Sequence, residues 1–296
     1  MSATTVESPW RRALFEFSTS KVSLGAMLVL AVLILAAVFA HWTAYQNPYD
    51  LTQINISNGK LPPGTESPDG RFTYLLGTDE QGRDILSAIQ YGLRISLSVS
   101  ITATLFALAI GLVFGLAAGY FGGWIDSVVM RVVDFQLSFP AILIALILLS
   151  VLGNGTDKVI IALVAVQWAY YARTIRGAAL VERTKEYVEA AVCLGIPVPR
   201  IVFRHLLPNC IPPLMVVAAV NVGHAIALEA TLSFLGLGVP VTEPSLGMLI
   251  ANGYQYMLSG IYWISLFPGM ALLLTVVSIN LVSDQLRDVL NPRLER

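Results

Sequence analysis

Six long apolar runs fall near residues 22–42, 95–120, 127–152, 159–179, 213–235 and 262–282 of this 296-residue chain. A bilayer core about 30 Å thick takes about 20 apolar residues of helix to cross. Backbone N–H and C=O groups in lipid must find partners inside the segment, which leaves helices for runs of this length. The composition agrees: 12% of residues are charged and 56% hydrophobic, where a soluble domain carries about 25% charged residues. The expected fold is therefore an all-α polytopic membrane protein with six transmembrane helices. The first run lacks a small-residue cleavage site after it and reads as a retained anchor. A formal net charge of −1 gives no reason to expect a nucleic-acid partner.

Two runs carry polar residues that the bilayer penalises. Arg131 and Asp134 stand near the start of the third, and Pro140 follows, so that run is kinked or begins late. Proline is tolerated there because neighbouring helices re-satisfy the freed backbone groups. The fifth holds Asn221, His224 and Glu229. An acid at mid-span costs about 3 kcal/mol and each aliphatic residue returns about 0.3–0.6 kcal/mol. The run inserts if Glu229 faces protein or water. These three residues are candidates for a translocation path or for bundle structure.

Lysine and arginine placement sets the orientation. Arg11, Arg12 and Lys21 precede the first run. Arg173, Arg176, Arg183, Lys185, Arg200 and Arg204 surround the connection between the fourth and fifth, and Arg287, Arg293 and Arg296 follow the sixth. An even number of crossings puts all three groups, and both termini, in the cytoplasm. The opposite side receives a segment rich in acids (Asp50, Glu66, Asp69, Asp79, Glu80, Asp84) and a loop at 236–261 without Lys or Arg. The segments expected are a cytoplasmic start at 1–21, a first span at 22–42, an outer loop at 43–93, a core at 94–284 and a cytoplasmic tail at 285–296.

Prolines and glycines between 47 and 71 mark turns in the outer loop. Thr78 and Gln81 have capping-box spacing. Ile85, Leu86, Ile89 and Leu93 then make a helical apolar stripe, expected as a short amphipathic helix on the outer membrane surface leading into the second span, with a substrate-binding helix as the alternative. Gly111, Gly115 and Gly119 recur every four residues in the second run, which suits close helix packing first and a pore face second. Gly122 and Gly123 make a tight cytoplasmic turn.

The polar-basic connection spanning 173–208 is long for a helical bundle and patterned, which favours a docking role over an ordinary solvated connector. Residues 182–194 are expected to be helical, with Val188, Ala191, Val192 and Gly195 on one small apolar face. Gly195 suits a helix end, and Pro197 prevents continuation. A second short segment over 199–206 is expected to turn at Pro208 into the fifth run. A partner's surface can approach such a small-residue face closely. Cys193 and Cys210 make neither a disulfide framework nor a zinc site.

Glu189-Ala190-Ala191, Gly195 and Leu206-Leu207-Pro208, at their spacing, resemble the EAA motif of ABC importer permeases. His205 stands where an aliphatic residue is usual, and His205 to Asn209 resembles the peptide-importer branch. Four further segments point the same way: Gly77-Thr78-Asp79 with Gly82-Arg83-Asp84; Arg94-Ile95-Ser96-Leu97; 229–238; and Asn280-Leu281 with Asp284, Leu286, Arg287 and Asp288. Leu246 and Asn291 depart from the family pattern, where Trp and Asp are frequent. The chain resembles the second membrane subunit of dipeptide/oligopeptide (peptide/nickel) ABC importers over nearly its whole length.

The resemblance implies a type I ABC importer permease fold with a cytoplasmic coupling helix in the EAA loop, about 180–208. The ATPase-coupling role falls on Glu189, Ala190, Ala191, Gly195, Leu207 and Pro208. Implied partners are a homologous second permease, two ATP-binding-cassette ATPase subunits and an extracytoplasmic solute-binding protein. ATP and Mg would be bound by the ATPases, and no cofactor, metal or catalytic residue is expected here. The implied location is a bacterial or archaeal cytoplasmic membrane. Nickel, another peptide-like compound or an oligosaccharide are alternative solutes. An ion-coupled secondary transporter would show internal repeats, and none is apparent. An intramembrane enzyme would need clustered ligands or a paired nucleophile and base, but His41, His205 and His224 are scattered. The chain has no phosphate-binding Gly-x-x-x-x-Gly-Lys loop of its own.

Overall fold

The computed structural model describes residues 20–290 apart from 51, 69, 71, 241, 242 and 244. Arg11, Arg12, Asp69, Arg71, Asn291, Arg293 and Arg296 lie outside the described residues. Helix α1 (Lys21–Val38) begins at Ser20, whose hydroxyl accepts from the Ser23 N–H at 3.3 Å. Val22, Leu28, Val32 and Leu35 of α1 are exposed, as expected of a helix with one side in lipid. Its Ser23 hydroxyl donates to Gln285 near the far end of the chain at 3.1 Å.

Helix α2 runs unbroken from Ile85 to Phe121. The separate surface helix expected before the second span is therefore absent: Ile85, Ile89 and Leu93 form the first turns of α2 and are buried. Their stripe packs against Leu246 and Ile264 rather than against the membrane surface. The expected capping box is also replaced. Asp84 caps α2, accepting from the Ser87 N–H at 2.8 Å and the Ser87 hydroxyl at 2.6 Å. Thr78 instead ties together the loop before α2: its hydroxyl donates to the Asn58 carbonyl at 2.6 Å and accepts from the Leu61 N–H at 2.8 Å. The same loop carries a two-stranded antiparallel pair, β1 (Thr65–Glu66) and β2 (Thr73–Tyr74).

Gly122, at φ +66, turns the chain into α3 (Gly123–Leu137). Helix α4 (Ala141–Leu152) follows Pro140 at about 90° to α3. The third apolar run is thus a broken pair, with the bend placed at a residue that lacks an N–H donor. Asp126 and Asp134 of α3 pair with Arg176 and Arg173 of α5 (Thr156–Arg183). Helix α6 (Glu186–Cys193) follows, then one turn at Val198–Arg200 and a π-helical turn at Ile201–Leu206 that continues into α7 (Leu207–Phe234). The chain does not turn at Pro208: the helical stretch runs on through it, with the Leu207 N–H bonded back to the Val202 carbonyl in the wider register of the π turn just before the proline. Helices α8 (Leu246–Tyr254) and α9 (Trp263–Leu290) complete the fold.

Among the described residues, four helical stretches are long and apolar enough to cross a membrane, or five with α3 and α4 taken as one bent crossing. Helix α5 is not among them. Gln167, Trp168, Tyr170 and Tyr171 interrupt its apolar run, and Arg173 and Arg176 close it. It sits at the centre of the bundle: Val159, Leu163, Tyr171, Ile175 and Ala179 are fully buried. Its opposite face, with Ile161, Tyr170 and Val181, is exposed.

The seam between α2 and α5 is built on the glycine repeat. A Cβ at Gly111 would lie 2.4 Å from the Tyr171 Cβ, at Gly115 2.6 Å from the Ala172 carbonyl, and at Gly119 2.6 Å from the Ala179 Cβ. Packing, rather than a pore face, accounts for the four-residue repeat.

Candidate functional site

Helix α6 owes its end to its sequence. Leu194 is the C-cap and Gly195, at φ +69, is the residue beyond. The Gly195 N–H donates to the Val192 carbonyl at 3.0 Å and the Ile196 N–H to the Ala191 carbonyl at 3.1 Å. These are the two bonds of a Schellman ending, which favours glycine because an L side chain is strained at positive φ. Pro197 then stops any extension.

The small apolar face expected on α6 is divided between two environments. Val188 and Ala191 are buried and pack on Ile201, with Tyr120 and Ile196 beside them. Ala191 is therefore part of the chain's own packing, a correction to its expected exposure. Helical spacing identifies a face but not its neighbour, and here the following π turn supplies that neighbour. Glu189, Ala190 and Gly195 are exposed. So are Val192 (55%), Leu194 (78%) and Phe203 (64%), an apolar surface beside a polar helix end. Leu207 is half-buried within the bundle and Pro208 is exposed.

Helix α6 is tied to the bundle through Tyr187. Its hydroxyl donates to Glu182 at the end of α5 and accepts from the Asn209 side-chain amide at 2.9 Å. Lys185 pairs with the other Glu182 oxygen at 2.8 Å. Burial first, then the Glu182 carboxylate, push the Tyr187 hydroxyl up to about 12. It stays protonated, and so remains a donor, across the physiological range.

Glu182 and Asn209 also line a cavity of about 1570 Å³ between α5 and α7. Asn221 and His224 stand on its wall, one helical turn apart, with Gln167 facing them from α5. Arg173 and Arg287 lie on the same lining. Sequence reasoning missed Gln167, Glu182 and Asn209; the first is legible only as a polar break in the fourth apolar run.

Glu229 lies off that wall. It is 0% exposed and accepts from Ser96 of α2 at 2.8 Å and from Ser233 at 2.7 Å. Ser96 in turn accepts from the Leu246 N–H at 3.3 Å. The carboxyl thus pins α2, α7 and the start of α8 together. Glu229→Gln keeps an acceptor for one of these hydroxyls and turns an N–H toward the other, which can accept, and should unfold in detergent near the wild-type temperature. Glu229→Leu strands them and should cost about 1–3 kcal/mol. A Gln variant as unstable as the Leu variant would show that the hydroxyl bonds contribute nothing.

Among the described residues no group of three or more His, Cys, Asp or Glu side chains is placed to hold a metal. Cys193 is exposed and Cys210 buried, and the two are unbridged.

Comparison with known proteins places this arrangement. Residues 111–296 match the profile of the binding-protein-dependent transport system inner membrane component, and residues 8–63 that of the N-terminal TM domain of oligopeptide transport permease C. The dipeptide transport system permease protein DppC of Escherichia coli (strain K12) is 38% identical over 296 residues, covering 100% of this chain and 97% of that protein. The di/tripeptide transport system permease protein DppC of Pseudomonas aeruginosa (strain UCBPP-PA14) is 35% identical, covering 97% and 93%. A solved structure of the MetNI methionine ABC transporter in an inward facing conformation has a chain of the same fold, with a TM-score of 0.54 at 23% identity. It covers 67% of this chain and 94% of its own. The chain belongs to the binding-protein-dependent transport system inner membrane components and is a permease subunit of an ABC importer.

Proposed function

We propose that this permease takes up dipeptides or oligopeptides delivered by a solute-binding protein, driven by ATP hydrolysis on two partner ATPase subunits. The observation that carries the coupling half is the exposed end of α6. Val192 and Leu194 are exposed beside Gly195 there, on a helix bonded directly to cavity-lining residues. The peptide half rests on the full-length likeness to permeases named for dipeptide transport.

In this reading Glu189, Ala190, Gly195 and their apolar neighbours seat α6 in a groove of an ATPase. Ala191 holds α6 on its own bundle from behind, while Leu207 and Pro208 lead the loop into α7. ATP and Mg bind the ATPases, and this chain hydrolyses nothing. The cavity wall with Asn221 and His224 supplies half of a path completed by a homologous second permease. The six spans, both termini in the cytoplasm and the core at 94–284 belong to the same reading, with the core's first helix beginning at Ile85. The physical requirement is a bundle with two states that the ATPases and the binding protein stabilise differently.

The test is to purify the tagged chain from native membranes in mild detergent and reconstitute what accompanies it. A second permease and ATPases in comparable amounts, with ATP-dependent uptake competed by dipeptides, is the expected result. Competition by nickel complexes or oligosaccharides instead would reassign the solute. A chain that purifies alone and transports on an ion gradient would overturn the coupling role.

A further inference from the structure

We propose that Tyr187 is a positioning residue that carries movement of α6 to both walls of the cavity, acting through Glu182 and Asn209. The inference rests on the ATPase-coupled reading above.

Among the described residues, the side-chain hydrogen bonds of α6 all run through Tyr187. Lys185, the residue that caps α6, adds an exposed ion pair to the same Glu182 at 2.8 Å, and the other contacts of α6 with the bundle are apolar: Val188 and Ala191 on Ile201, Ile196 and Tyr120. Such contacts resist separation but allow sliding, because they are non-directional. A hydrogen bond loses strength steeply with angle and distance, so it holds one geometry. The Tyr187 hydroxyl sits between the last turn of α5, through Glu182, and the first turn of α7, through Asn209. Both partners face the cavity. Asn209 has a second tie, donating to the His205 carbonyl at 2.8 Å across the π turn.

The helix beyond this link is built to bend. Pro208, Pro212 and Pro213 remove three N–H donors from the start of α7, and proline in a helix interior kinks it. The π turn at Ile201–Leu206 immediately precedes them, and single π turns inside helices recur at functional sites. A pull on α6 therefore reaches the cavity through a directional three-residue link, while the proline segment takes up the change in angle.

The test uses the whole transporter, purified with its partner subunits and reconstituted in vesicles with its binding protein. The readout is solute taken up per ATP hydrolysed. Tyr187→Phe keeps the ring and its apolar contacts and removes only the hydroxyl. It is expected to assemble with the ATPases and hydrolyse ATP, with the uptake ratio down roughly fivefold or more, the size of a single lost hydrogen bond. A purely structural tyrosine would lower the yield of complex and leave that ratio unchanged. An unchanged ratio overturns the proposal. Should the Phe variant fail to assemble, Asn209→Ala gives the same reading from the other side of the link, a fall supporting the proposal and a wild-type ratio overturning it. Failure of the importer reading is distinguishable, because it appears in the wild type as uptake that needs no ATP.

Discussion

A Gly195→Trp variant is expected to reach the membrane at the wild-type level and to lose uptake roughly tenfold or more, a change of about 1.4 kcal/mol in effective docking. Gly195 is exposed, and a Cβ built on it meets nothing within 4 Å. The chain itself therefore leaves room for the indole, and the collision falls on whatever docks there. The backbone adds a second effect, since φ +69 costs an ordinary L residue about 1–2 kcal/mol. Gly195→Asn separates the two. Asparagine tolerates left-handed backbone and is small, so its uptake should stay near wild type. Radiolabelled uptake alongside quantitative immunoblots of membranes decides the matter. Normal transport by the Trp variant would remove Gly195 from the docking surface. Equal losses in both variants would trace the effect to the helix end rather than to the partner.

A large effect on folding is expected at Gly115, in the middle of the seam between α2 and α5. A side chain there would place its Cβ 2.6 Å from the Ala172 carbonyl and 2.8 Å from the Ile175 Cγ2, with the Ala172 Cα at 3.0 Å. Two of these atoms are backbone, which cannot rotate away. Overpacking typically costs about 1–3 kcal/mol, and here relief requires α2 and α5 to separate along a seam that Gly111 and Gly119 continue. Gly115→Leu should therefore leave little monodisperse protein after detergent extraction. Gly25→Leu is the control: it lies on α1, where a Cβ meets nothing within 4 Å, and should extract as wild type does. Equal recovery of the two variants would mean that the glycine repeat is dispensable for packing.

The membrane class and the helical character followed from the apolar runs, whose length reflects the thickness of the bilayer. The helix end at Gly195 and Pro197 was also legible, because backbone conformation is a local property of glycine and proline. Comparison with known proteins bears out the family resemblance over the whole length of the chain. Where the structure differed, the missing information was a neighbour distant in sequence. The stripe at Ile85, Ile89 and Leu93 has the same spacing on a membrane surface as against Leu246 and Ile264, and only the packed bundle supplies the latter.

The same holds at the candidate site. Helical periodicity put Val188, Ala191 and Val192 on one face, but the π turn took Val188 and Ala191 inward and left Val192 outside. Glu229, Asn221 and His224 are near neighbours in one apolar run. Tertiary structure enclosed the first between hydroxyls, one of them Ser96, 133 residues away, and set the other two on a cavity wall opposite Gln167. The sequence by itself determined the membrane-spanning helical class, the helix end at Gly195 and the family, because those properties rest on local chemistry and on apolar length. Only the tertiary structure decided which side of each helix is covered, because burial is a property of pairs of surfaces and a single helix carries half of each pair.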